Sequence, residues 1–202
     1  MRDKKSLEIL LGELEGIPNP SPDLEQQETP PDLASSLITL ASLMGDLEDS
    51  KVIDLGCGSG ILSIGAVMAG AREAVGIDVD AKAVAMAWVN SRKMGVRDRV
   101  RFYVRDVRSF NESGDLVLQN PPFGVVKRHM DLVFLERAFL SADVVYSIHL
   151  AGNSEFLARF ANEHGFSLTH VERWPFPIPR RFWYHKKRVV RIPVEILRFE
   201  RG

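Results

Sequence analysis

Residues 52–70, VIDLGCGSGILSIGAVMAG, constrain this chain more than any other stretch. A short apolar run passes through glycines at every second position, Gly56, Gly58 and Gly60, straight into an apolar helix that ends at Gly70. A buried strand turning at once into a helix is the first half of a βαβ unit, and such units build parallel sheets. The pattern then repeats. AVGIDVD is a second strand and AKAVAMAWVNSRKMG a helix; RVRFYVRD and DLVLQN are a third and a fourth strand. Residues 131–141 form a helix, DVVYSIHL a fifth strand and NSEFLARFANEHG another helix. FSLTHVERWPF and KRVVRIPVEILRFE follow with no helix between them, so they pair as an antiparallel hairpin joined by PIPRRFWYHK.

Upstream of this alternation, Leu7, Leu10, Leu11, Leu14 and Ile17 recur at helical spacing and predict an amphipathic helix over residues 4–15. PNPSPDLEQQETPP (18–31) reads as an ordered loop or lid. A second helix is expected from Asp32, as N-cap, to Gly45. The division is therefore an N-terminal helical extension with a lid, residues 1–49, ahead of one α/β unit, residues 50–202. A chain of 202 residues suits that size.

The start, MRDKKSLEILLGELEG, is charged and has no signal-peptide character, and no run is long and apolar enough to span a bilayer. With a single cysteine, Cys57, there is no internal disulfide and no cysteine-rich zinc site, so a cytoplasmic protein is expected. Cys57 suits the glycine loop as a small side chain and is given no redox role. His149 and His170 fall on strands and are taken as core or surface residues, and no metal constellation is visible. The formal net charge of −1 conceals an asymmetry. Residues 1–50 hold three Lys/Arg against eleven Asp/Glu, and residues 171–202 hold nine against three. The basic end admits a polyanionic partner, or it is only a solvated face.

The glycine spacing is G-x-G-x-G, not the G-x-G-x-x-G of dinucleotide folds, because Ile61 stands at the third glycine position. Such a loop fits a nucleoside carrying an amino acid, with no pyrophosphate to cradle; a tight turn without a ligand is the bland alternative. Asp54 stands just ahead of the loop. Asp78, eighteen residues beyond Gly60, ends the second strand, where a carboxylate accepts from ribose hydroxyls, and Val79 offers a packing face for adenine. Asp106 and Val107 close the third strand, where a carboxylate can accept from an adenine amine. Ligands of open α/β sheets lie outside the carboxyl ends of the strands, where all of these residues fall.

The fourth strand runs into Asn120-Pro121-Pro122-Phe123. An amine conjugated to a ring is a poor nucleophile. Two acceptors, the Asn120 side-chain oxygen and the Pro121 carbonyl, would hold both its hydrogens and turn its lone pair toward a methyl donor. The prolines fix the backbone, and Phe123 offers a stacking face. A proline turn with Phe123 in the core is the alternative.

On these motifs the sequence resembles the class I methyltransferases that use S-adenosylmethionine. VIDLGCGSG is similar to their glycine-rich first motif, GIDVD to their ribose motif and RDV to their adenine motif. NPPF matches the [ND]-PP-[YFW] motif of enzymes that methylate adenine, guanine N2 or a glutamine side chain. The resemblance implies a seven-stranded sheet of order 3-2-1-4-5-7-6 with an antiparallel seventh strand. Two further stretches narrow it. Glu25-Gln26 and Thr29 resemble an EQY-x-T segment, and FWYHKKRVVRIPVEILRF resembles the closing segment of the small-subunit ribosomal RNA adenine-N6 methyltransferases of archaea and eukaryotes. One departure is Gln27, where that family usually carries an aromatic.

The resemblance implies donor contacts at Gln26, Thr29, Asp54, Gly56, Cys57, Gly58, Gly60, Asp78, Val79, Asp106, Val107 and Asn120. It also implies a small zinc-binding activator subunit that docks on the edge strand at residues 100–105. Arg180, Arg181, His185, Lys186, Lys187 and Arg188 surround Phe182, Trp183 and Tyr184, an interleaving that suits splayed-out RNA. The alternative is a hairpin core with solvated charges. Lys127 and Arg128 lie in a loop after the corner and would meet phosphates, or are merely solvated. Methylation of guanine N2 in ribosomal RNA, or of a protein glutamine, remains open as the competing function.

Overall fold

The computed structural model describes residues 3–124, 126, 128–179 and 189–202. Five strands, β1 (Lys51–Leu55), β2 (Glu73–Asp78), β3 (Val100–Val104), β4 (Leu116–Gln119) and β5 (Val144–Leu150), alternate with helices α3 (Ile61–Ala69), α4 (Ala81–Lys93) and α5 (Met130–Ser141). Helix α6 (Ser154–Glu163) leads to the long strands β6 (Phe166–Pro179) and β7 (Val189–Arg201). The seven strands form one sheet in the order β3-β2-β1-β4-β5-β7-β6. The first five are parallel, and β7 runs antiparallel to both β5 and β6. The expected class I methyltransferase architecture and terminal hairpin are both present.

Both faces of the sheet are covered, which is why β1 and β4 read as near-continuous apolar runs instead of alternating. One face buries Val52, Leu116, Leu118, Tyr146 and Ile196 beneath α3 and the N-terminal helices α1 (Lys4–Leu11) and α2 (Pro31–Leu43). Leu7, Leu11, Leu37 and Ile38 belong to that same buried cluster. The other face buries Ile53, Val117, Val145 and Phe199 against Leu135 and Phe139 of α5 and Leu157 of α6.

The N-terminal helices differ from expectation in two places. Helix α1 stops at Leu11, capped by Gly12, whose N–H donates to Glu8 O, so Leu14 and Ile17 continue the apolar spacing off the helix. Helix α2 starts at Pro31 with Pro30 as cap; Asp32 sits inside its first turn and does not cap it. Proline at the first helical position sacrifices an N–H that has no partner there anyway, so the Pro-Pro pair displaces the aspartate as the start signal.

The two sheet edges are unlike. Pro175, Pro177 and Pro179 occupy every second position of β6, which pairs only with β7. An edge strand takes proline only where the missing N–H would have pointed to solvent, so these residues remove donors from the last five positions of that edge. Strand β3, at the opposite edge, has no proline and exposes Tyr103 and Val104. Strand β1 has β2 on one side and β4 on the other. That reversal of connection direction opens a crevice above the carboxyl ends of β1 and β4.

Candidate active site

The glycine loop fills the near side of that crevice. The N–H groups of Gly56 and Cys57 both donate to Ile77 O, at 2.9 and 2.8 Å, and draw the loop over the end of β2. Gly56, Gly58 and Gly60 all have positive φ, at 73°, 54° and 88°. Their reasons differ. A Cβ on Gly60 would lie 3.0 Å from Ala87 Cβ and 3.1 Å from Phe102, so that glycine lets α4 and β3 close together. A Cβ on Gly58 would meet only Ile17 Cδ1, at 3.6 Å, leaving its backbone open to the cleft.

Gly60 is not among the residues lining the cleft, and neither is Asp54. Asp54 is fully buried and accepts from the Ser63 N–H and hydroxyl at 3.0 and 2.6 Å, pinning the start of α3 under the loop. Burial pushes its carboxyl up to about 7, against the pull of those two hydrogen bonds. Of the residues expected at the donor, these two lie beneath the loop and do not line the cleft. Cys57 does line the cleft, and burial holds its thiol well above the ordinary range, so it is no nucleophile.

Across the loop, Asp78 Oδ2 accepts from Gly58 N–H at 3.0 Å and Oδ1 from Asp80 N–H at 2.9 Å. Burial raises its carboxyl, with these N–H bonds opposing. Val79, Asp106 and Val107 line the same side. Asp106 is partly spent: it caps a short turn through Arg108 N–H at 2.8 Å and pairs with the Arg108 guanidinium at 3.2 Å.

The segment 21–29 closes the cleft as a strap. Gln26 lines the cleft, but both ends of its amide are used. Its oxygen accepts from Ser21 N–H at 2.6 Å and its Nε2 donates to Asp80 Oδ2 at 2.9 Å. Asp80, absent from the expected site, anchors the strap and caps α4 through Lys82 N–H. An aspartate directly before AKAVAM carries the N-cap signature, so that half of its role was open to sequence. Glu25 Oε1 accepts from Val126 N–H at 2.6 Å, which ties the strap to the segment after the corner.

At the end of β4, Asn120, Pro121, Pro122 and Phe123 line the far wall of the cleft. Asn120 Nδ2 donates to Thr29 Oγ1 at 3.0 Å, and its Oδ1 is buried with no protein partner. Gln27 Oε1, also on a cleft-lining residue, is in the same state. Phe123 packs edge-to-face on Phe176 at 5.6 Å while lining the cleft, so it serves both the core and the site. Beneath the corner, Gln119 Nε2 donates to Ser147 Oγ, which is 2.7 Å from His149 Nε2. Burial alone pushes His149 down to about 4. Arg128 is exposed in the turn that follows. Lys127, Arg180, Arg181, Phe182, Trp183, Tyr184, His185, Lys186, Lys187 and Arg188 lie outside the described residues. Among the described residues, no group of three or more His, Cys, Asp or Glu side chains could hold a metal ion. No helix there is long and apolar enough to cross a membrane.

A cleft of roughly 1210 Å³, part of it open to solvent, thus has an acidic wall at β2, a glycine floor and, at the end of β4, a corner carrying one partnerless acceptor, Asn120 Oδ1. That arrangement over this strand order defines a class I methyltransferase, and the class takes its methyl group from S-adenosylmethionine. Residues 34–135, from α2 to α5, match the model of the ribosomal protein L11 methyltransferase (PrmA) family. Over its full length the chain belongs to the family of the rRNA N(6)-adenosine-methyltransferase METTL5. It is 35% identical to the Drosophila melanogaster member over 98% of this chain and 96% of the relative. It is 39% identical to an uncharacterised protein of Methanocaldococcus jannaschii, over all of this chain and 95% of that one. A solved structure from Pyrococcus horikoshii, titled as a candidate RNA methyltransferase, is 42% identical and superposes with a TM-score of 0.92. It covers all of this chain and 98% of its own.

Proposed function

We propose that this protein methylates N6 of an adenosine in ribosomal RNA of the small subunit. The observation that carries the reading is Asn120 Oδ1, an acceptor buried without a protein partner on a residue that lines the donor cleft at the rigid NPP corner. A buried, unsatisfied acceptor is costly, so it belongs where a ligand supplies the missing N–H. Asn120 Oδ1 and the Pro121 carbonyl take the two hydrogens of the N6 amine and hold its lone pair toward the methyl group. As the N–C bond forms, the S–C bond breaks, and the amine loses one proton to water. The work is positioning and electrostatic, and it needs no general base.

Gly56, Gly58, Asp78, Val79, Asp106 and Val107 form the donor side in this reading, under a lid supplied by residues 1–49. Residues 50–202 form the transferase unit. Phe123 supports the extruded base. Lys127, Arg128 and the basic aromatic stretch from Arg180 to Lys187 meet the flanking RNA, on sequence grounds. A cytoplasmic site of action goes with that substrate. Incubating ribosomal RNA with the protein and methyl-labelled donor, then digesting to nucleosides, tests the reading. Label in N6-methyladenosine supports it. Label confined to N2-methylguanosine, or to added protein, transfers the function to one of the two competing activities.

A small zinc-binding subunit that extends the sheet at residues 100–105 is the partner we propose. Supporting it is the contrast between the two edges: proline removes donors from one end of β6, and β3 has no proline and leaves Tyr103 and Val104 exposed. A Val104→Pro variant, which removes an N–H from the free edge, that still co-purifies with such a subunit at full stoichiometry would rule it out.

A further inference from the structure

We infer that Ser147 and His149 of β5 are positioning residues for methyl transfer: together they hold the two ends of the segment that carries the NPPF corner. The inference rests on the reading above, in which Asn120 acts on the target amine. On the face of the sheet that packs on α5 and α6, β4 and β5 bury Val117 beside Val145. Two residues further on, at the last rung of that ladder, the same face turns polar and pairs Gln119 with Ser147. Gln119 and Ser147 are 0% exposed and His149 is 2% exposed, so three polar side chains are sealed at the level of the corner.

Gln119 Nε2 donates to Ser147 Oγ at 3.0 Å, and His149 Nε2 lies 2.7 Å from the same oxygen. One hydroxyl serves both neighbours because it accepts and donates at once. At the other ring nitrogen, His149 Nδ1 stands 4.0 Å from Asp131 Oδ2 in the first turn of α5. That is too long for a direct hydrogen bond. With His149 held neutral by burial, it is a packing contact and not an ion pair. Gln119 comes directly before Asn120, and Asp131 follows the segment 120–130 that carries the corner. Both stems of that segment therefore rest on one strand. Pro121 and Pro122 leave the backbone little rotation, so the corner inherits its aim from the end of β4. Asp131, His149 and Ser147 stand in the order of a hydrolase triad, but the Ser147 hydroxyl is sealed and outside the cleft, so it is no nucleophile.

Four variants separate positioning from donor binding and from plain stability. None of Gln119, Ser147, His149 and Asp131 lines the cleft. Affinity for S-adenosylhomocysteine, measured by calorimetry, should therefore stay within about threefold of the parent in every variant. Ser147→Ala cuts the chain at its middle; kcat at saturating donor and RNA should fall about ten- to a hundredfold, the scale on which a displaced reacting group acts. His149→Leu should fall likewise. His149→Gln, whose amide can stand in for ring Nε2, should keep kcat within about threefold. The triple variant Gln119→Leu, Ser147→Ala, His149→Leu leaves none of the three polar groups unpaired, so its Tm should recover toward the parent while kcat stays low. Recovery of kcat together with Tm overturns the inference and leaves the chain a role in stability only. A Ser147→Ala protein that loses donor affinity as much as kcat overturns it too.

A second readout needs no RNA. In ¹⁵N-labelled protein with S-adenosylhomocysteine bound, the backbone N–H signals of Phe123 and Gly124, beyond the prolines, should broaden relative to the parent in Ser147→Ala and His149→Leu. The broadening reports microsecond-to-millisecond exchange of a corner no longer held in one place. In His149→Gln the two signals should match the parent, and Gly58 in the donor loop should match it throughout. Phe123 and Gly124 signals that neither variant alters sink the inference whatever the RNA assay gives. A protein that methylates no RNA, yet shows this broadening in the two variants, keeps the positioning chain and removes only the substrate assigned above.

Discussion

The backbone N–H of Gly58 donates to Asp78 Oδ2 across 3.0 Å and joins the glycine loop to the acidic end of β2. Asp78 therefore has two duties, shaping the loop and offering its remaining lone pairs to the cleft. Asp78→Ala should weaken binding of S-adenosylhomocysteine by roughly a hundredfold, the worth of one or two hydrogen bonds to a charged acceptor. Asp78→Asn, which keeps one oxygen acceptor, should fall between. Calorimetric titration reads both, and an unchanged dissociation constant for Asp78→Ala would remove Asp78 from the donor site.

The glycines of the loop should separate under substitution. Gly60→Ala meets Ala87 and Phe102 at 3.0 and 3.1 Å from a positive-φ backbone. Strain and overpacking together should cost about 2–4 kcal/mol, a fall in Tm of about 5–10 °C for a chain of this size. Gly58→Ala has open space at its Cβ apart from Ile17. It should cost about 1 kcal/mol in stability but weaken donor binding at least tenfold, because the methyl group intrudes on the face open to the cleft. Thermal melts paired with donor titration check the contrast; equal effects at the two positions would contradict it.

The fold was legible because its signals are local and repeated. Strand–loop–helix alternation from Val52 to Gly165 predicts the parallel sheet, and two strand-like runs with no helical spacing between them predict the hairpin. The N-terminal helices were less so. Leu14 and Ile17 keep helical spacing after Gly12 has ended α1, since apolar periodicity reports burial and not the hydrogen bonds that continue a helix. In the site, Asp78 and Asn120 stand out as polar residues closing apolar strands. What sequence could not distinguish was lining from support. Asp54 and Gly60 sit in the same motif as Gly58, yet only the third dimension puts Ser63 over one and Ala87 against the other. Gln26 lines the cleft and also anchors the strap through Ser21 and Asp80, a second duty that no local sequence signal carries.

Removing the corner's acceptor should separate chemistry from binding. Asn120→Ala leaves Gly58 and Asp78 untouched, so donor affinity should stay within about threefold of the parent. Loss of a preorganised contact to the reacting amine should cut kcat by at least about a hundredfold. Single-turnover kinetics with labelled donor measure the step directly. A variant that transfers at the parent's rate would take Asn120 out of the chemistry.

Two buried titratable groups on opposite faces of the sheet give stability opposing pH slopes, and single variants should expose each. Asp54 is raised from 3.8 to about 7 by burial, so between those values the folded protein holds a proton the unfolded chain has released. Its contribution is therefore fully present at low pH and is lost as pH rises from about 4 to 7. His149 is lowered from 6.5 to about 4, so the unfolded chain binds the extra proton and stability is lost as pH falls through that window. The two nearly cancel between about 4 and 6.5. Asp54→Asn keeps an oxygen for the Ser63 N–H and hydroxyl while removing the titration. Its stability relative to the parent should climb from about pH 4 to about pH 7, by at most about 1.4 kcal/mol per unit, and level off above. His149→Gln should gain relative to the parent in the other direction, as pH falls from about 6.5 toward 4. Urea unfolding at intervals from about pH 4.5 to about pH 8 gives both differences. A difference for Asp54→Asn that stays flat across that range would mean that Asp54 is charged in the folded protein, and that the loop rests on a buried carboxylate after all.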